Sequence, residues 1–357
     1  MSARPGDQAA ASAARSRGRR HSQPSAGLTV AVTGPTGAVG KSVIKALERD
    51  DRVGAILGMA RRPFEPAFLG WRKTSYRCGD VLDRDAVDGL VTGADAVIHL
   101  AYAIVGSRSE SARVNVTGSR NVFESAVAAD RPSRLVFMSS VAAYGYHADN
   151  PVPLTEDIPA RGSPEHYYSA HKAACEALLA AVTAGSGMDV YVLRPCIVAG
   201  PDSVSMISNL EPGQFLDWLP AAVRQVVAQL PGFRLVVPDP GMPVQLVHHD
   251  DVADAVRVTA TGAGPPGTYN LAAEGEITVT DLVRAVGGYA VPVPHALAVA
   301  ASRLVSALPW VPAEAEWVHA ARQPMLMDTT RARRDLGWTP RYTARQALTA
   351  MSDAVRH

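Results

Sequence analysis

"TGPTGAVG", residues Thr33 to Gly40, decides the fold. It carries Gly34, Gly37 and Gly40 in a G-x-x-G-x-x-G spacing. The apolar run "LTVAVTG" leads into it and "AVGKSVIKALERD", with apolar residues at helical spacing, leads out. Glycines at such a strand-to-helix turn let the backbone bend tightly and approach a pyrophosphate, whose charge sits against the free N–H groups of the helix start. Gly34, Thr36, Gly37, Ala38, Val39 and Gly40 are therefore candidate cofactor-binding residues.

Outward from this turn the chain repeats strand then helix. "RVGAILGMA" reads as a second strand, and buried-strand runs follow at "DAVIHLA", "RLVFMSS", "DVYVLRP" and "GTYNLA". Helical segments such as "NVTGSRNVFESAVAA" and "SAHKAACEALLAAVTA" separate them. This alternation predicts an α/β fold, a Rossmann-type doubly wound parallel sheet with helices on both faces. Residues 28–199 are expected to form that domain, with a strand near 267–272 returning to its sheet. After Pro195 the pattern loosens into Pro- and Gly-punctuated segments, with helices at "FLDWLPAAVRQVVAQL" and from Leu297 onward, so 200–357 reads mostly as a smaller substrate-binding lobe.

Lys and Arg number 35 against 34 Asp and Glu, so no global field exists to hold nucleic acid or an anionic membrane. A small-molecule substrate or other subunits are the expected partners. Cys78, Cys175 and Cys196 are far apart and lack metal-ligand spacing, which reads as buried, reduced thiols in a cytoplasmic protein with no metal site. Residues 1–27 are small, polar and basic, without the apolar core of a signal peptide, and read as a disordered tail. The run from Ala296 to Val311 is interrupted by Arg303 and bounded by Pro294 and Pro309, too short to span a bilayer; its Leu297, Ala301, Leu304 and Leu308 suit a packed helix.

Cofactor choice is expected at the end of the second strand, ~20 residues past the glycines, where a carboxylate would accept from the ribose hydroxyls of NAD. The chain has "MARRP" there. Arg61 and Arg62 offer guanidinium groups shaped for a 2′-phosphate, and no carboxylate repels it, so NADP is favoured over NAD.

In "YYSAHK" Tyr168 and Lys172 are four residues apart, one turn apart on one helix face, while Tyr167 is rotated away. With ten tyrosines and only four lysines in the chain, chance predicts roughly 0.1 such pairs. A phenol titrating near 10 is a poor acid–base group at neutral pH; a neighbouring ammonium is expected to bring Tyr168 down so that it exchanges a proton with a carbonyl or alcohol oxygen. "VFMSSVAAYG" ends a strand at Ser139 and Ser140, at the carboxyl edge of the sheet, where a hydroxyl could steady the reacting oxygen. Serines at strand ends also serve as turn or cap residues.

With these residues in view the chain resembles the extended short-chain dehydrogenase/reductase superfamily, the branch of NAD(P)-dependent epimerases, dehydratases and carbonyl reductases. The likeness runs from Leu28 to the C-terminus, through the glycine turn, "GDVLD", "DAVIHLAY", "NVTGSRNVF", "SSVAAYG", the Tyr168/Lys172 pair, "LRPCIVAGP", "VHHDDVADAV", "GTYNLA" and "TTRARRDLGWTPR". It implies Ser140 as oxyanion partner, Tyr168 as acid–base and Lys172 as ribose-binding helper. It further implies Asn115 near the active site, Asp80 and Val81 beside the adenine, and Leu100, Ala101, Tyr102, Pro195 and Ile197 beside the cofactor. A homodimer is possible by the same analogy. Asp250 and Asp251 suggest either a His/Asp metal cluster or, the preferred reading, a helix start whose free N–H groups they bind.

Two departures concern substrate. Similar nucleotide-sugar epimerases carry a diphosphate-binding arginine before the "DD" pair, where this chain has Val244, and an asparagine after "LR", where it has Cys196 and Ile197. A less charged, more apolar substrate follows, and with it a hydride-transferring oxidoreductase acting on a carbonyl or secondary alcohol. The alternatives are an epimerase or dehydratase with tightly held NAD, and a non-catalytic NADP-binding sensor or scaffold.

Overall fold

The computed structural model describes residues 27–104, 108–203, 236–285, 288–297, 300 and 323–356. Six strands alternate with helices in the first half of the chain: β1 (Leu28–Thr33), β2 (Val53–Ala60), β3 (Thr74–Cys78), β4 (Ala96–His99), β5 (Arg134–Met138) and β6 (Asp189–Pro195). They lie parallel in the order β3-β2-β1-β4-β5-β6. The order reverses between β1 and β4, so a crevice opens there at the carboxyl ends of the strands.

The strands are continuous apolar runs because both faces of the sheet are covered. Successive residues of β1 face opposite ways. Val30 and Val32 join Ile44 and Leu47 of helix α1 (Ala38–Glu48), whereas Ala31 joins Val122 and Phe123 of the helix Gly118–Ala128 on the other side. That second face also carries α2 (Arg84–Val91) and α5 (Tyr167–Thr183). The helix over it is built in three pieces: α3 (Arg108–Ala112), a π-helical turn at Arg113–Thr117, and α4 (Gly118–Ala128).

β3 is the edge strand, with three of its five residues exposed. This corrects the expectation of three buried thiols: Cys175 and Cys196 are buried, but Cys78 ends the edge strand and is exposed.

The later strands are short: β7 (Ile197–Ala199), β8 (Val236–Asp239), β9 (Pro243–Val244) and β10 (Leu246–His248), in two-stranded pairings outside the main sheet. Helix α6 (His249–Ala260) follows, then β11 (Gly267–Leu271), which pairs in parallel with β6 as the seventh strand. β12 (Ile277–Thr278), α7 (Val279–Ala285), β13 (Tyr289–Pro292), α8 (Thr330–Leu336) and α9 (Ala344–Arg356) complete the described chain.

The part after residue 200 divides between two cores. Val252, Ala255 and Val256 of α6, with Ala332 of α8 and Trp338, are buried in the same core as Val30 and Ile44. An amphipathic helix does not declare which sheet it covers, and α6 covers the first domain. A separate cluster of Leu246, Ala273, Ile277, Ala347, Leu348 and Met351 lies around β10 and α9. Among the described residues no helix is long and apolar enough to cross a membrane. The helix read at "FLDWLPAAVRQVVAQL", the basic tail up to Ala26 and most of the run from Ala296 to Val311 lie outside the described residues.

The aspartates of "VHHDD" act differently from the expectation. His248 caps α6, its Nδ1 accepting from Asp250 N at 3.2 Å. The buried Asp251 carboxylate instead accepts from the backbone N–H groups of Arg341 (3.0 Å) and Tyr342 (3.2 Å), tying the C-terminal segment to α6.

Candidate active site

Three glycines of the turn have two kinds of reason. Gly34 has φ 74°, and a Cβ there would lie 2.8 Å from Ala101 N; a Cβ at Gly40 would lie 2.2 Å from Gly34 O. Both are demanded by the fold. Gly37 is not: it is exposed, φ is −72°, and its Cβ would meet only Gly34 O at an ordinary 3.5 Å. What glycine leaves open there is the approach to the N-terminus of α1, which has no side-chain cap. Thr36, Ala38 and Val39 stand half-buried around the opening. The turn therefore fits a dinucleotide pyrophosphate on the N–H groups of α1.

At the crevice itself Leu100, Ala101 and Tyr102 leave the end of β4. Leu100 N donates to Thr33 O at 3.2 Å and Ala101 N to Thr33 Oγ1 at 3.3 Å. His99, read from sequence only as part of a strand, bridges Thr33 (2.7 Å) and Ser119 (2.9 Å) from a fully buried position. Burial, with the Lys172 charge nearby, pushes its imidazole down to about 3, so the bridge is neutral.

Arg61 and Arg62 follow β2 at the far end of the crevice. Both are exposed, and neither forms an ion pair among the described residues. Asp80 sits after β3, but its carboxylate accepts from Leu82 N (3.0 Å) and shapes the local turn. Val81 is the next residue in the chain. Its buried side chain fills the space over Gly118 of α4, where a Cβ would come within 2.5 Å of it.

Ser140, Tyr168 and Lys172 come together at the carboxyl ends of β4 and β5. Ser140 accepts from Ala142 N at 3.2 Å as the cap of a short 3₁₀ turn, and its hydroxyl stands close enough to the Tyr168 phenol to favour the phenolate. Cap and site partner are thus one residue. Lys172 Nζ lies 5.8 Å from the Tyr168 ring centroid and 3.5 Å from that of Tyr102, and donates to Met138 O at 2.7 Å. Tyr102 stands edge-on to Tyr168 at 5.5 Å.

The electrostatics differ from expectation. Burial raises the Tyr168 phenol above its ordinary value, with the Ser140 hydroxyl pulling the other way. Lys172 does not bring it down because its ammonium is turned onto the Tyr102 ring and the Met138 carbonyl. Burial takes Lys172 itself down to about 7, against the nearby Cys175 and Glu176. Tyr167 stays apart from this chemistry; it is buried and its hydroxyl bonds Ile104 O.

Asn115 lies against the loop that follows β4. In the π-helical turn its amide pairs both ways with the Ala103 backbone, Oδ1 accepting at 2.7 Å and Nδ2 donating at 2.9 Å. The amide fixes the loop after β4 that carries Tyr102 at the site.

A network that sequence reading missed lies behind the triad. Glu176, one turn beyond Lys172, accepts from Ser139 Oγ and pairs with Arg194 at Nε (3.0 Å) and at Nη2, N···O 2.5 Å. Arg194 is 4% exposed and lies 4.3 Å from the Tyr144 ring centroid. Its only sequence trace was the "LR" of "LRPCIVAG". Beyond it, Pro195 ends β6 buried, Cys196 is buried, and Ile197 is 37% exposed. Val244 is half-buried in β9.

His248, His249 and Asp250 bring ligand-type atoms within 4.8 Å of one another. Both Nδ1 atoms are engaged, His249 Nδ1 with Ser42 Oγ (2.7 Å) and Asp250 (3.2 Å) and His248 Nδ1 with Asp250 N, whereas His249 Nε2 is buried without a hydrogen-bond partner among the described residues.

A parallel sheet with a glycine turn at its switch point, and a Ser-Tyr-Lys constellation at the same edge, define a dinucleotide-binding protein of the short-chain dehydrogenase/reductase superfamily. Residues 30–272 match the model of the NAD dependent epimerase/dehydratase family, and the chain belongs to that family. It is 26% identical over 328 residues to an uncharacterized protein of Sinorhizobium fredii, covering 90% of this chain and 76% of that one. It is 32% identical over 179 residues to the L-arabinose 1-dehydrogenase (NAD(P)(+)) of Haloferax volcanii, covering 46% of this chain and 65% of the relative. The fold is similar to that of a dTDP-glucose 4,6-dehydratase from Streptomyces venezuelae solved with NAD, with TM-score 0.69 at 20% identity over 92% of this chain and 97% of that one.

Proposed function

We propose that this protein is an NADP-preferring oxidoreductase that moves hydride between the nicotinamide and a carbonyl or secondary alcohol of a small, rather apolar substrate. The observation that carries the reading is the convergence of three groups at the crevice: Tyr168 and Lys172 on one face of α5, with Nζ 5.8 Å from the phenol ring centroid, and Ser140 just past the end of β5. A bound NADP(H) supplies or receives the hydride. In the reducing direction Tyr168 gives its proton to the carbonyl oxygen as charge builds there. Ser140 donates to that same oxygen and holds it in line. Lys172, on its flexible stem, would bond the ribose of the cofactor, and its charge would ease proton loss from the phenol only on leaving the Tyr102 ring and the Met138 carbonyl. In oxidation the proton runs the opposite way, from alcohol to phenolate.

NADP preference is supported by the exposed, ion-pair-free Arg61 and Arg62 and by the lack of a carboxylate in "MARRP". The relative named for activity with NAD(P)(+) is a dehydrogenase, which favours simple hydride transfer. Val244 and the partly exposed Ile197 support an apolar substrate, since neither can neutralise a diphosphate. The second reading, an epimerase or dehydratase with tightly held NAD, draws on the family description and on the NAD-bound dehydratase of similar fold. Purified protein carrying NAD and refusing NADPH would select it.

Tyr168→Phe tests the chemistry. It should lower kcat by roughly 10²–10⁴-fold with NADPH binding retained. A panel of aldehydes, ketones and secondary alcohols showing equal turnover by wild type and variant would remove the enzyme reading.

A further inference from the structure

The end of β2 is tied to β3 by more than the ladder of the sheet. Gly79 N donates to Ala60 O at 3.0 Å. Tyr76 Oη lies 2.9 Å from that same oxygen and also within hydrogen-bond reach of Arg62 O, while Cys78 Sγ donates to Arg61 O at 3.2 Å. Three successive carbonyls, those of Ala60, Arg61 and Arg62, are thus held from one neighbouring strand. The Tyr76 ring is itself fixed, with Phe64 edge-on at 5.5 Å and Trp71 against Phe64 at 5.2 Å.

The side chains behave in the opposite way. Arg61 and Arg62 point into solvent with no ion pair among the described residues. A flexible exposed arginine spends much of its binding energy on being ordered, and fixing its backbone lowers that cost. A clamp on the carbonyls sets the directions in which the two Cα–Cβ bonds leave the chain.

We propose that Tyr76 is a specificity-determining positioning residue: by holding the carbonyls of Ala60 and Arg62 it pre-sets the Arg61–Arg62 turn for the 2′-phosphate of NADP(H). Cys78 adds a weaker clamp between them. The proposal rests on the NADP reading above. It goes further in assigning selectivity to a tyrosine on the next strand that need not touch the cofactor.

Tyr76→Phe removes the hydroxyl and keeps the ring and its packing. Titration of NADPH, NADH and 2′,5′-ADP into full-length wild type and variant, followed by fluorescence or calorimetry, should show NADPH and 2′,5′-ADP binding weakened roughly three- to tenfold and NADH binding unchanged. Equal weakening of NADPH and NADH, or no weakening of either, overturns the role given to Tyr76. Arg61→Ala/Arg62→Ala, measured alongside, tests the underlying reading separately: equal losses for both cofactors would overturn NADP preference itself. Should Tyr76→Phe fold poorly, wild-type Cys78 serves as reporter, being the exposed thiol of the three. Its alkylation by iodoacetamide should slow on adding NADPH and not on adding NADH. Equal slowing by both, or none, would overturn the placement of the phosphate at this turn.

Discussion

Lys172, Glu176 and Arg194 stand at one end of the crevice almost out of reach of water, whereas Arg61 and Arg62 at the other end are immersed in it. At the buried end each charge is bound to a partner: Lys172 to Met138 O, Glu176 to Arg194 and Ser139. At the exposed end only the backbone is held, and among the described residues the guanidinium groups form no ion pair. The contrast follows from dielectric. A buried charge acts strongly on its surroundings but is costly unless paired, while a solvated charge costs little and can stay unpaired. Chemistry and selectivity therefore depend on stability to different degrees.

The largest effect that could break this contrast is at Arg194. Arg194→Met leaves the Glu176 carboxylate buried beside Ser139 with its ion pair gone, and unfolding stability should fall by roughly 3–5 kcal/mol. Chemical denaturation at neutral pH measures it; a loss near that of a surface mutation would mean that the buried end is not held by its charges.

Lys172 sharpens the same point through pH. Its ammonium titrates at about 7 in the fold against 10.5 for a free lysine. Below pH 7 both states bind the proton and burial of the charge opposes folding. Between about 7 and 10.5 the unfolded state alone binds it, so stability rises with pH, by at most about 1.4 kcal/mol per unit. Lys172→Met removes this contribution. The melting temperature of the variant relative to wild type should be most favourable at pH 6 and decline by pH 10. A difference that does not vary with pH would show that Lys172 is not titrating in this window.

The smallest effect on stability belongs to the exposed end. Arg61→Ala/Arg62→Ala should leave unfolding stability within about 0.5 kcal/mol of wild type. The same pair should lose NADPH affinity by tenfold or more while NADH affinity stays. Loss of both stability and NADH binding would erase the distinction between the two ends.

The parts legible from sequence are those written in local pattern. Six of the seven sheet strands could be read because each is a short apolar run bounded by turns, and Tyr168 and Lys172 because helical spacing is local; β3, TSYRC, is mostly exposed and carries no such run. The Ser139–Glu176–Arg194 network was not legible, since its members come from β5, α5 and β6 and meet only in the fold. Nor was the environment of the triad. Spacing placed Lys172 near Tyr168, but only the packed structure shows the ammonium lying on Tyr102 and the phenol raised by burial. Asp251 looked like a cap because of its position at a helix start; its actual partners, Arg341 and Tyr342, are far along the chain. Cys78 was misread because apolar pattern does not reveal which strand is outermost.

The return of β11 to the edge of β6 has a consequence for how the protein is made. Until Leu271 has been synthesised, β6 is an open edge with unpaired N–H and C=O groups, and until Ala260 the helix that covers α1 and the sheet beside it is missing as well. A nascent chain paused after Ala199 would hold a nearly finished nucleotide-binding sheet that can recruit a foreign strand. The second half of the gene thus acts as a timer on the first, and premature termination should give aggregates rather than a trimmed, soluble cofactor-binding domain.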